Sequence, residues 1–167
     1  SQGELLFDLN QRYQYPSVAR NLRFDSAVFG TSSARLLNPD ELDKDIGGNF
    51  AELAMNSATA YEQAQMAKLF AGERSNHAIK TIVWGIDQVW CKQATKYKKF
   101  TFRKFPPWMY DDNQWNDLLY IFNGKSLEIS GRIALYKLGI RDSYKYETSG
   151  YANFLPRNSD YDLDKVR

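Results

Sequence analysis

Ser26-Ala27-Val28-Phe29-Gly30-Thr31-Ser32 is the stretch that decides the fold. Four short, mostly apolar residues stop at a glycine, the pattern of a buried strand that runs into a turn. Two later runs repeat it. Residues 50–55 (FAELAM) stop at Asn56-Ser57, and residues 79–84 (IKTIVW) stop at Gly85-Ile86-Asp87. Helical punctuation separates the three. Asn38-Pro39-Asp40-Glu41-Leu42 places proline at the first helical position, and Gly47-Gly48 then breaks the chain. Thr59 followed three residues later by Glu62 is a capping-box pattern. Ala60, Ala64 and Ala67 repeat at helical spacing, with Gly72 as a natural stop. The order strand, helix, strand, helix, strand predicts βαβ units, right-handed crossovers and a parallel sheet. The fold expected is three-layer α/β.

The flanks are less regular. Residues 1–23 read as a peripheral arm, with Leu5, Leu6 and Phe7 followed by a polar, aromatic stretch containing Pro16. Residues 92–110 read as a basic–aromatic insertion, with Lys92, Lys96, Lys98, Lys99, Arg103 and Lys104 interleaved with Phe100, Phe102, Phe105, Trp108 and Tyr110. Helices are expected over 113–122 and 126–138, and the tail from 140 is polar, Tyr-rich and without a strong period. At 167 residues the chain is one domain or the N-terminal portion of one.

Composition excludes several classes. With 43% apolar and 25% charged residues, the chain is globular rather than disordered. Its 22 Lys and Arg against 20 Asp and Glu leave a net charge of +2, too little for nucleic acid to be the partner. No run approaches the ~18 apolar residues of a membrane helix, and no basic start with an apolar stretch marks a leader. Cys91 is the single cysteine, which excludes an intramolecular disulfide and a multi-cysteine metal site. It is expected as a small buried side chain. No metal or organic cofactor is implied.

In an open parallel sheet, ligands bind beyond the carboxyl ends of the strands. Three segments are expected to meet there: Gly30-Thr31-Ser32-Ser33-Ala34-Arg35, Asn56-Ser57-Ala58-Thr59 and Gly85-Ile86-Asp87. A hydroxyl on a tight turn, close to backbone N–H groups, has what a nucleophile beside an oxyanion site requires. Each residue also has a plainer reading. Ser32 serves equally as a turn residue or cap, Asp87 as a strand-end cap, and Arg35 as a solvated surface cation. Tyr61-Glu62 reads as a helix-start device. The aromatics of 92–110 either stack on sugars, with Arg103 and Trp108 as contacts, or form a satellite core under a charged face.

Phe29-Gly30-Thr31-Ser32 after a first strand resembles the opening block of the SGNH/GDSL hydrolase superfamily. The stretch Asn56-Ser57-Ala58-Thr59-Ala60-Tyr61-Glu62 resembles its second block, and Gly85-Ile86-Asp87 sits where the third would lie. The likeness is closest to divergent bacterial envelope-associated members and covers roughly residues 24–91. It implies a flavodoxin-like sheet, Ser32 as nucleophile, and the N–H groups of Ser32 and Ser57 facing an oxyanion. Ser57 stands where the family has glycine. Asn56 and Asp87 would line the pocket; apart from the resemblance, Arg35 and the basic–aromatic residues Arg103 and Trp108 are expected to meet substrate. Two departures stand out. The oxyanion Asn of the third block is absent, and so is the terminal Asp-x-x-His block that supplies acid and base. The only histidine, His77, precedes the third strand and so lies at the wrong end of the sheet. The expectation is therefore the N-terminal part of such a fold. Its function would be that of a serine esterase or O-acyltransferase on a glycan or other envelope substrate, in the cell envelope or periplasm. The alternative is a non-catalytic carbohydrate- or protein-binding domain on the same scaffold.

Overall fold

A computed structural model describes residues 2–91, 99–111 and 149–151, and residues 113, 115, 131, 134, 135 and 138 singly; for 2–10 and 89 the backbone alone is described. Strand β1 (Ser26–Phe29) lies at the centre of a parallel sheet between β2 (Phe50–Glu52) and β3 (Thr81–Trp84). Ser26 is opposite Phe50 on one side and Thr81 on the other. The ladder to β2 continues beyond Glu52, because Leu53 N donates to Val28 O (2.9 Å) and Met55 N to Gly30 O (3.1 Å). That accounts for the longer run, 50–55, that the sequence predicts.

Alternation along β1 divides the core. Ala27 and Phe29 face one side, where they pack with Tyr15 and Ala19 of helix α1 (Gln2–Arg20) and with Met66, Leu69 and Phe70 of α3 (Ala60–Gly72). Val28 faces the other, with Phe50, Ala54 and Leu42 of α2 (Pro39–Asp45). Helices therefore cover both faces, and the α/β class expected from the strand–helix order is observed. The order β2-β1-β3, with α2 and α3 on opposite faces, is what two right-handed crossovers running in opposite directions require, the first from β1 to β2 and the second from β2 back past β1 to β3. It puts the topological switch point between the carboxyl ends of β1 and β3.

Both helix starts form as their side chains dictate. The Asn38 side chain accepts from Asp40 N (3.0 Å). Thr59 Oγ1 accepts from Glu62 N (3.1 Å) while Glu62 Oε2 accepts from Thr59 N (3.0 Å), a complete capping box. Gly72, expected as the stop, is instead the last helical residue, and the chain leaves through Glu73 in right-handed conformation.

Residues 2–20, read from the sequence as an arm, are one helix with Pro16 inside it. A mid-helix proline has no N–H to give the carbonyl four residues earlier. That carbonyl belongs to Arg12, and the Tyr110 hydroxyl donates to it at 2.9 Å. Burial pushes the Tyr110 phenol well above its ordinary range, so it stays a donor. Phe105 stacks on Tyr110 (4.3 Å between centroids) and Phe100 on Phe105 (5.3 Å). Over 99–111 the aromatic block is thus largely a satellite core that repairs α1; its residues 92–98 lie outside the described residues. Tyr110→Phe should leave the Arg12 carbonyl orphaned and cost about 1–2 kcal/mol, seen as a lower urea midpoint at unchanged m-value.

Arg74 ties the amino end of the sheet together. Its guanidinium lies over the Phe70 ring (3.7 Å) and donates to the carbonyls of Ala19, Asn21, Phe24 and Phe70 at 2.6–2.9 Å. Residues 149–151 of the tail make contacts that its irregular sequence does not announce. Glu52 N donates to Ser149 O (2.8 Å), the Tyr15 hydroxyl to Gly150 O (3.2 Å), and Ser149, Gly150 and Tyr151 are all buried. Cys91, expected inside, is exposed, because it closes a short 3-10 turn (Gln88–Cys91) beyond the sheet. The helices expected over 113–122 and 126–138 lie mostly outside the described residues; Trp115, Gly131, Ala134 and Leu135, which are described, are helical. No helix among the described residues is long and apolar enough to cross a membrane.

Candidate functional site

Beyond β1 the chain turns at once. Gly30 has φ +147°, and a Cβ there would lie 2.6 Å from Ala34 Cβ and 2.9 Å from Gly85 O, so only glycine fits. Ala34 N donates to Thr31 O (3.1 Å), which makes Ser32 and Ser33 the corner of a β-turn, and both are exposed. Gly30 N donates to Gln63 Oε1 (3.2 Å), and Gln63 Nε2 donates to Leu53 O (3.3 Å). The corner is thereby fixed to both α3 and β2.

Two of the expected segments meet across the switch point. Thr31 Oγ1 donates to Asp87 Oδ2 at 2.6 Å and lies 3.3 Å from Ser33 Oγ. Asp87 follows β3 after Gly85, whose N–H donates to Phe29 O (2.8 Å). Ser32 lies between Thr31 and Ser33 in the chain, is exposed, and makes no hydrogen bond to another described residue.

The third segment is a turn at the end of the β2 ladder. Ala58 N donates to Met55 O (3.1 Å), and Ser57 alone among the non-glycine residues described has positive φ, +52°. A hydrogen-bonded turn with positive φ only at its third residue is type II, a position that favours glycine. Ser57 thus holds a backbone conformation that glycine more often supplies. Asn56 is held on three sides. Its N–H donates to Gln11 Oε1 (2.8 Å), its carbonyl accepts from both terminal nitrogens of Arg12 (3.3 and 3.4 Å), and its Oδ1 accepts from Arg35 Nη1 (2.7 Å). Arg12 is itself gripped by Glu62 through Nε (3.1 Å) and Nη2 (2.7 Å), with both side chains buried.

Arg35, expected at a substrate surface, is only 4% exposed, because the 3-10 turn Ala34–Leu36 turns it inward. There it lies near Glu52, whose carboxyl is 1% exposed and accepts from Ala54 N at 2.9 Å. Desolvation pushes the Glu52 carboxyl up to about 8, against the smaller opposing pull of the Ala54 N–H and Arg35. Arg103 and Trp108 ride on a separate segment. The Arg103 guanidinium lies over Phe102 (5.1 Å), and Trp108 is half-buried in the turn Pro107–Tyr110. That segment borders the site at its start, where Thr59 Oγ1 donates to Lys99 O (2.7 Å).

His77 is exposed in the turn before β3, at the amino end of the sheet. Four strand residues at ~3.3 Å each place it more than 10 Å along the strand from the carboxyl edge, beyond the ~3 Å a base needs. Among the described residues no cluster of three or more His, Cys, Asp or Glu is arranged to hold a metal ion. Sequence reading missed Thr31, Gln63, Gln11 and Arg12. Gln63 adjoins the capping residue Glu62 and so had a local signal; Gln11 and Arg12 had none once α1 was unread.

No protein-family model, no curated protein and no solved structure matches the chain.

Proposed function

We propose that the carboxyl edge of this sheet is an acyl-transfer site of the SGNH type, a serine esterase or O-acyltransferase. Ser32 Oγ attacks the acyl carbonyl carbon, forming the new C–O bond as the carbonyl π pair moves onto oxygen. The N–H groups of Ser32 and Ser57 face that oxyanion. The Oγ proton passes to a base supplied from outside the described residues, which returns it to the leaving alkoxide oxygen as the intermediate collapses; water or an acceptor hydroxyl then takes the acyl group from Ser32 Oγ and restores its proton. Thr31 and Asp87 tie the carboxyl ends of β1 and β3 together next to Ser32 in the chain. The observation that carries this reading is Ser57. It is a serine in left-handed backbone, in a turn that follows the bond from Met55 N to Gly30 O at the end of β1, and this supports its N–H as the second oxyanion donor. A glycan or other acylated envelope component is the substrate proposed, on the resemblance.

One observation favours the alternative, a non-catalytic binding domain: no base stands at Ser32 among the described residues. A fluorophosphonate probe separates the two. Ser32-dependent labelling, lost in Ser32→Ala, is the expected result; equal labelling of both proteins removes Ser32 from the mechanism. If neither protein labels, the binding reading takes over. Arg103→Ala and Trp108→Ala should then weaken retention on a glycan column.

A further inference from the structure

The strain at Ser57 has a visible restraint. The peptide joining Asn56 to Ser57 is the central unit of the turn from Met55 to Ala58. A rotation of that unit by about half a turn converts type II into type I, and type I is the form most non-glycine residues favour at the third position. The rotation would return Ser57 to negative φ and relieve the cost of left-handed backbone in an L-residue. It would also carry the Asn56 carbonyl away from its present partner. That partner is the Arg12 guanidinium, which reaches the oxygen with two nitrogens (3.3 and 3.4 Å). Glu62 holds Arg12 in place by two further bonds (2.7 and 3.1 Å), and Glu62 is itself locked to the start of α3 by its bond from Thr59 N (3.0 Å).

We infer that Arg12 is a positioning residue that holds the Asn56–Ser57 peptide in its strained orientation, so that the Ser57 N–H points away from α1 and stays available to the proposed oxyanion. This rests on the acyl-transfer reading for its use, though not for its geometry. The argument needs only the planarity of the trans peptide. Within one unit the C=O and the N–H point in opposite directions. Anchoring the Asn56 carbonyl toward α1 therefore aims the Ser57 N–H away from α1. The cation at the carbonyl also polarises the unit, which strengthens its N–H as a donor. Gln11 completes the clamp by accepting from Asn56 N (2.8 Å), so the peptides on both sides of Asn56 are referred to one turn of α1.

The test is a cycle between positions 12 and 57, run on the 167-residue chain. Arg12→Lys keeps the charge and loses the fork that spans Glu62 and the Asn56 carbonyl. Ser57→Gly removes the preference for the flipped turn, since glycine accepts positive φ freely. In the wild type, the nuclear Overhauser cross-peak from Asn56 Hα to the Ser57 amide should be strong. In Arg12→Lys it should weaken, replaced by one between the Asn56 and Ser57 amides. In Arg12→Lys/Ser57→Gly it should return. The fluorophosphonate labelling rate should follow the same pattern. It should fall roughly tenfold in Arg12→Lys, the order set by the cost of left-handed backbone, and recover in the double variant. A merely structural role for Arg12 predicts no recovery from a glycine at position 57. If Arg12→Lys does not fold, Glu62→Gln, which loosens the grip on Arg12, carries the same test with the same two outcomes. Wild-type cross-peaks in Arg12→Lys overturn the inference and leave the acyl-transfer reading standing. The expected cross-peaks without any Ser32-dependent labelling overturn that reading and leave the role of Arg12 standing.

Discussion

Glu62→Leu should destabilise the fold by about 3–5 kcal/mol, the penalty for leaving one member of a buried ion pair alone. The carboxylate is fully buried and takes two bonds from Arg12. Its loss leaves the guanidinium in a space with little water. The same substitution removes half of the capping box on α3, which adds to the cost. Arg12→Met/Glu62→Leu should be less destabilised than Glu62→Leu alone, because no isolated charge remains inside. Urea denaturation monitored by tryptophan fluorescence gives both values from the midpoints. A single variant as stable as the double would show that water reaches Arg12 freely, and would remove the buried pair as a determinant of the fold.

The second large effect concerns acidity. Glu52 has a folded-state value of about 8 against an ordinary 4.5. Between those values the folded protein keeps a proton that the unfolded chain has released. The contribution of this group to stability is therefore greatest below 4.5, falls as pH rises through the window, and levels off above about 8. At about 1.4 kcal/mol per unit, the total is on the order of 5 kcal/mol. Glu52→Gln keeps an oxygen for Ala54 N and has no charge to bury, so its stability should lack this fall. Near pH 5 the two proteins should be similar; at pH 8 to 9 the variant should be several kcal/mol more stable. Parallel curves across pH 5–9 would mean that Glu52 is ionised in the fold throughout.

The parts of this molecule legible in the sequence are those whose causes are local. The run Ser26–Phe29 is apolar on both faces because helices cover both faces of β1, and it stops where Gly30 alone can pass between Ala34 and Gly85. Thr59 and Glu62 announce α3 because their bonds span three residues. Helix α1 escaped because its evidence is distant. Pro16 reads as a breaker, and the hydroxyl that repairs the break comes from 98 positions away from the carbonyl it meets. Gln11 and Arg12 are polar residues turned inward, toward Asn56, 45 and 44 positions on. At the site, Ser32 and Asp87 were placed by the strand ends. The sequence marks Ser57 as a turn residue, but the bonds that Gln11 and Arg12 make to its neighbour Asn56 come from a distant helix and leave no local signal. Arg35 was read as an outward cation for a similar reason: the turn that buries it is set by packing against β1 and β3, not by its own residues.

The seat of Ser149 and Gly150 on the outer edge of β2 has a consequence for biosynthesis. Glu52 leaves the ribosome about a hundred residues before its partner at Ser149, which at translation speeds is a delay of about five to twenty seconds. Through that interval the nascent sheet presents an open flank, a template for pairing with any other polypeptide. A fragment ending near residue 140, which lacks Ser149 and Gly150, should therefore partition into inclusion bodies more than the 167-residue chain does.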